Sequence, residues 1–207
     1  MASVGLLPTA ASSTPTSSPT TSRTDRAVGS ARAPVAAAVL ALALVARGVS
    51  LGAAHVDELG WLCHIATAAM VIGLAAGAAR VVAGAWLFHL VWGGPMYLID
   101  AILSGTTLPS SVAAHLGPLA IGGLWLARRP WPGPIALPAW MVGVAAMIVA
   151  RPLTDPAHNV NAAYAVWPPY DRVFPSWPTL WLASTLTCLA LMVAADTAIG
   201  RWRRGRR

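Results

Sequence analysis

Six long, largely apolar runs follow one another along this chain, at 35–53, 60–79, 81–103, 111–127, 135–150 and 179–199. A helix needs about 17–25 apolar residues to cross the hydrocarbon core of a bilayer. In lipid every backbone N–H and C=O must be satisfied within the structure, which leaves the α-helix for isolated runs of this length. The expectation is therefore an all-α, polytopic membrane helical bundle with about six transmembrane helices. Composition agrees: 57% of residues are hydrophobic and 10% are charged, against about 25% charged in soluble domains. A single helical domain would occupy 33–200. Before it, 1–32 is rich in Ser, Thr, Pro and Ala without periodicity and reads as a disordered cytoplasmic tail. After it, 201–207 reads as a basic cytoplasmic tail. The first run also has the form of a signal-peptide core, and Arg47 at its end favours a retained span.

All of the basic residues are Arg, and the formal charge is +7. These charges flank the apolar runs. Counting from an inside N-terminus, the inner segments hold Arg23, Arg26, Arg32, Arg80, Arg128, Arg129 and the C-terminal arginines, whereas the outer loops hold Arg151 and Arg172. This is the positive-inside pattern, with both termini in the cytoplasm of a bacterial plasma membrane. The same charges point to membrane lipids as partners and away from nucleic acid. Trp61, Trp131, Trp177 and Trp181 fall near run ends, where interfacial aromatic belts sit.

Ionisable groups inside a membrane segment are costly and by default mark a site. The segment 86–115 carries His89, Asp100 and His115 and is interrupted by Gly93-Gly94-Pro95. Cys63 and His64 lie early in the second run, Arg47 late in the first, and Arg151 ends the fifth. Most of these groups fall in the outer half of the bilayer. His89, Gly93, Met96 and Asp100 share one face of a continuous helix, with His89 and Asp100 about 16 Å apart along its axis. Trp92 joins this wall. The Gly-Gly-Pro break allows a kink that frees carbonyls and makes room for ligand or water. The long loop 151–181 adds Asn159 and Asn161 as donors and acceptors that could cap the pocket. Substrate-contacting candidates are thus His64, His89, Trp92, Arg151, Asn159 and Asn161.

Each of these has a structural alternative. A membrane His can simply bond a neighbouring helix. Asp100 needs a partner if ionised, which Arg47 or Arg151 could supply, and Asp196 would pair with Arg201 or sit at the interface. Gly73 and Gly77 form a small-xxx-small pattern that allows close helix approach. The two cysteines, Cys63 and Cys188, show no zinc-type spacing, and no phosphate loop, HExxH or GxSxG is present. No cofactor or metal is expected, although His residues on different helices leave haem or a metal conceivable.

The segments LCHIATAAMVIG, WLFHLVWGG, LPSSVAAHLGPLAIGGLWL and NVNAAYAVWPPYDRVFPSWPTLW together resemble the YwaF-like family of bacterial integral membrane proteins. That family is similar to eukaryotic transmembrane acyltransferases acting on phospholipids. The resemblance spans roughly 61–181. It implies a small helical membrane fold with a catalytic Cys on an early span and a His after a Pro-Ser turn, at Cys63 and His115, and a loop contribution from Asn161, Trp177 and Trp181. The family has a His shortly before the Cys, whereas His64 follows Cys63 here. Consecutive helical residues point about 100° apart, so His115 is the better base.

Three functions stay open at this point. Cys63 could attack an acyl ester with His115 as base and Asp100 or Asn161 orienting, as in other Cys–His nucleophiles. His89 and Asp100 could carry protons for a carrier or binder of a small solute. The polar groups could also only fix helix packing in an accessory protein.

Overall fold

The computed structural model describes residues 23–105, 107–167 and 170–206. Among them the regular elements are helical: α1 Arg23–Leu51, α2 Leu62–Ala75, α3 Ala79–Phe88, a π turn His89–Gly93, α4 Gly94–Ser104, α5 Pro109–Ala127, α6 Ala136–Ala150 and α7 Trp177–Arg204. Short 3₁₀ turns fill the connections at Ala53–Gly60 and across the loop from Arg151 to Arg172. Of the expected N-terminal tail, residues 1–22 lie outside the described residues, and from Arg23 the chain is helical.

Five segments are long and apolar enough to cross a membrane: Arg32–Leu51, Ala79–Ser104, Pro109–Ala127, Ala136–Leu153 and Trp177–Arg204. Their outward faces are apolar, with Leu42, Ile102, Leu124, Val142, Ile148 and Leu182 all well exposed. Helices in water bury such stripes; these helices need an apolar surrounding. The expected second span is the one that differs. α2 has only 14 residues, a rise of about 21 Å against a core of about 30 Å. It reaches span length only together with Ala53–Gly60, from which it is bent by 72°. The bend falls at Trp61, whose ψ of 135° is extended between the two helical segments.

α2 is the central helix and packs against α1, α3, α5 and α6. Its C-terminus turns at once into α3. The N–H of Ala78 bonds Gly73 O and that of Gly77 bonds Leu74 O, with Gly77 left-handed at φ +66°. This is a Schellman stop, which needs a residue without Cβ strain. The Gly73/Gly77 pattern is therefore no long helix-packing stripe. Gly77 makes the turn, and Gly73 lets α3 approach, since a Cβ there would meet Val82 at 2.9 Å.

The Gly93-Gly94-Pro95 break becomes the π turn. Pro95 has no N–H to give to a carbonyl one turn back, and a wider turn absorbs the mismatch. A Cβ on Gly94 would lie 2.8 Å from His89 O. The extra residue rotates everything after it by about one helical position, roughly 100°. This corrects the expected common face: His89 is fully buried while Asp100 is exposed.

At the opposite end from Cys63, Asp196 does not pair with Arg201. It is buried and accepts from Trp131 Nε1 at 2.7 Å and from the N–H groups of Ile135 and Ala136 at 2.7 and 2.9 Å. It thereby caps the start of α6 from α7. Replacing Asp196 with Ala leaves three buried donors unsatisfied, which costs on the order of 3 kcal/mol. The expected result is a lower unfolding temperature in detergent, with a smaller drop for Asp196→Asn; an unchanged melting curve for Asp196→Ala would contradict the cap.

Candidate thiol and imidazole site

Four elements bring polar side chains to one place: the start of α2, the 3₁₀ turn before it, the π turn, and the first half of α5. Cys63 and His64 sit in the first turn of α2. His115 comes two turns into α5, and its Nε2 lies 3.0 Å from Cys63 Sγ. The His64 and His115 rings meet edge to face at 5.2 Å between centroids. Cys63 Sγ and one nitrogen of each imidazole all lie within 4.8 Å of one another.

The hydrogen bonds set the tautomers. His115 Nδ1 is 2.7 Å from Ser111 O, and His64 Nδ1 is 3.0 Å from Glu58 O. A carbonyl oxygen only accepts, so in each neutral ring Nδ1 carries the proton and Nε2 carries the lone pair. His115 Nε2 accepts from the Cys63 thiol. His64 Nε2 is buried and has no hydrogen-bond partner. Buried polar atoms without partners are rare and call for a reason.

Below this cluster lies a second polar layer. Thr67, one turn after Cys63 on the same face, gives its proton to Cys63 O at 2.9 Å or Ala114 O at 3.1 Å. Having one proton, it accepts from His89 Nε2 at 3.0 Å. Ala114 O is free to accept because Pro118, four residues on, has no N–H. Thr67, His89 and Ala114 thus join α2, the π turn and α5 in a region sealed from solvent.

The other expected site residues fall elsewhere. Asp100 is exposed and takes no place in the cluster; Tyr97, one turn earlier in α4, stacks on His115 at 4.3 Å instead. Arg47 pairs with Glu58 at 3.8 Å, not with Asp100. Arg151 lies over the rings of Trp177 and Tyr164, in a groove between α6 and α7 lined also by Met147, Ile148 and Trp181. Trp92 is half-buried against the apolar core.

The two asparagines hold structure. Asn161 accepts from the N–H of Leu62 at 2.7 Å and donates to Gly60 O at 2.9 Å, capping α2 from the loop. Asn159 accepts from Tyr164 N and Ala165 N and donates to Ala165 O. Both have positive φ, at 45° and 58°, a conformation that Asn tolerates better than most residues. The loop is fastened further by His158 Nδ1 on Asp57 at 2.8 Å and by the N–H of Asp155 on Asp57.

Three contacts were not anticipated from the residues alone. Thr67 had a signal, its position four residues after Cys63. Tyr97 and the Glu58 carbonyl had none, since the π turn and the bend before α2 place them. No protein-family model, no curated protein and no solved structure matches this chain.

Thr67→Val keeps the shape and removes the hydroxyl, leaving His89 without a partner on either ring nitrogen. The loss is expected at about 1–3 kcal/mol, read as a lower unfolding temperature that Thr67→Ser restores. Equal melting of wild type and Thr67→Val would show the hydroxyl to be idle.

Proposed function

We propose that this chain is a multi-pass protein of the bacterial plasma membrane that binds a transition-metal ion through Cys63, His64 and His115, in the outer half of the bilayer. The observation that carries the reading is the convergence of Cys63 Sγ with a nitrogen of each imidazole, beside a buried His64 Nε2 that has no partner. Metal-binding imidazoles commonly give their second nitrogen to a carbonyl or carboxylate, which fixes the tautomer and aims the ring. Both His64 and His115 do so. Thiolate and imidazole are donors for late first-row ions such as copper and zinc. An ion with bond lengths near 2.0–2.3 Å holds such donors roughly 3.4–3.8 Å apart. The cluster spans that range, and small shifts of the side chains complete it.

The orientation is supported by charge. The end holding the α2–α3 turn carries Arg80, Arg128, Arg129 and the arginines that finish α7, while Asp57, Glu58 and Asp155 lie at the end of the cluster. That distribution matches cytoplasmic termini and an outward site. With six crossings, Ala53–Gly60 and α2 together make the second.

The test is metal content. The full chain purified in detergent, incubated with copper or zinc salts and desalted, is expected to retain about one ion per chain. Cys63→Ala and His64→Gln should each lose most of it, and Cys188→Ser none. A wild-type chain that retains no ion under these conditions removes the reading.

A second reading rests on the 3.0 Å contact between Cys63 and His115, which is within reach of a nucleophile and its base. It follows the YwaF-like resemblance. His115 Nε2 would take the thiol proton as sulfur attacks an acyl ester of a phospholipid, and would return it to the leaving alkoxide, forming a thioester and a lysolipid. The acyl group would pass on to a second hydroxyl. His64 separates the two readings, since acyl transfer does not use its Nε2. A phospholipid acyl profile changed by the wild type, unchanged by Cys63→Ala, and still changed by His64→Gln is the expected signature. Identical profiles for wild type and Cys63→Ala remove it.

A further inference from the structure

We infer that the Cys63–His64–His115 site selects a soft monovalent cation, copper(I) or its analogue silver(I), over zinc(II). The inference rests on the metal-binding reading and adds the class of ion. It is carried by charge, ligand number and burial.

The cluster offers one group able to become an anion. Cys63 can lose a proton, and the two imidazoles are neutral donors. No carboxylate belongs to the ligand set among the described residues. Asp100 is exposed and, although its charge reaches His115, it gives no ligand atom to the group. Asp57 is taken by His158 and Asp155 N. Glu58 presents its carbonyl to His64, and its carboxylate faces Arg47 and His55. The Arg47–Glu58 pair beside the cluster adds no net charge. A thiolate with a monovalent ion is neutral. With a divalent ion the same thiolate leaves one positive charge in an apolar, largely water-free setting, where uncompensated charge is strongly disfavoured.

Ligand number points the same way. Three donors complete a trigonal site for copper(I), whereas structural zinc takes four ligands in a tetrahedron. Among the described residues no fourth His, Cys or carboxylate joins the three donors. Tyr97 stacks flat on His115, and Thr67 below is committed to carbonyls and to His89. A thiolate donor is soft and suits copper(I) among the ions it can bind. On binding, the Cys63 S–H bond breaks, the Cu–S bond forms, and one proton leaves to solvent. No change of oxidation state takes place.

The experiment uses the full chain in detergent under reducing, anaerobic conditions. Copper(I) is offered in competition with a chromophoric copper(I) chelator, silver(I) serves as the redox-inert probe, and zinc(II) is titrated separately. The expected result is one copper(I) or silver(I) per chain, about one proton released per ion, and an affinity for zinc at least about a hundredfold weaker. Cys63→Ala and His64→Gln should lower copper(I) affinity at least tenfold, while Cys188→Ser, on α7, leaves it unchanged. Circular dichroism of each variant confirms that helix content is kept. Zinc bound as tightly as copper(I) overturns this inference and leaves the metal-binding reading standing. Copper(I) bound equally well by folded Cys63→Ala puts the ion elsewhere and overturns both. Failure of the folded wild type to bind any of the three ions also overturns both.

Discussion

The hydroxyl of Thr67 is the contact on which the interior depends. It is fully buried at the point where α2, the π turn and α5 meet. Each partner there is a group that the surrounding elements leave over. Pro118 removes the bond that would have used Ala114 O, and the π turn swings His89 inward. In a membrane interior a spare carbonyl or imidazole has no water to turn to. One threonine accepts from His89 and shares its single proton between Ala114 O and its own helix at Cys63 O. Irregular backbone at this depth is tolerated where neighbouring side chains satisfy it, and here the irregularities of two helices are satisfied by a third.

The same economy governs the two ends of the bundle. At one end Asp196, on α7, reaches the exposed N–H groups that open α6. At the other, Asn161 supplies the start of α2 from a loop that is ninety-odd residues away in sequence. Helix N-termini carry unpaired donors and partial positive charge. Neither of these two helices brings its own capping side chain, so tertiary contacts provide the cap. This ties the positions of Cys63 and His64 to the loop before α7, and it explains why a helix too short to cross alone holds the centre of the fold.

Much of the helical architecture was legible because apolar run length acts through the bilayer, which imposes the same requirement on every span. Five of the six runs became helices of crossing length, with ends within a few residues of those expected. The short α2 was not legible, because its bend depends on the extended backbone of Trp61, which side-chain identity does not signal. Within the site, Cys63 and His115 were singled out by the resemblance, and the 100° per residue that made His115 the better base did not foretell that His64 joins them within 4.8 Å. Asp100 was misplaced for one reason. Periodicity assumes 3.6 residues per turn, and a π turn of five residues breaks that phase just where His89 stands. The role of His64 depends on a backbone carbonyl, and side-chain identity carries no information about that. Asn159 and Asn161 were recognised as chemically active and assigned outward, whereas their left-handed backbones turn their amides onto the chain itself.

The clasp of Asn161 on Leu62 and Gly60 has a consequence for biosynthesis. The residues that anchor the beginning of α2 are translated long after α2 itself has entered the membrane. Until the ribosome has passed the loop, the thiol at the head of α2 stands on an untethered helix end. A chain cut short before that loop would lack the Asn161 cap at the start of α2. The site is therefore completed only after the loop that carries Asn161 has been made.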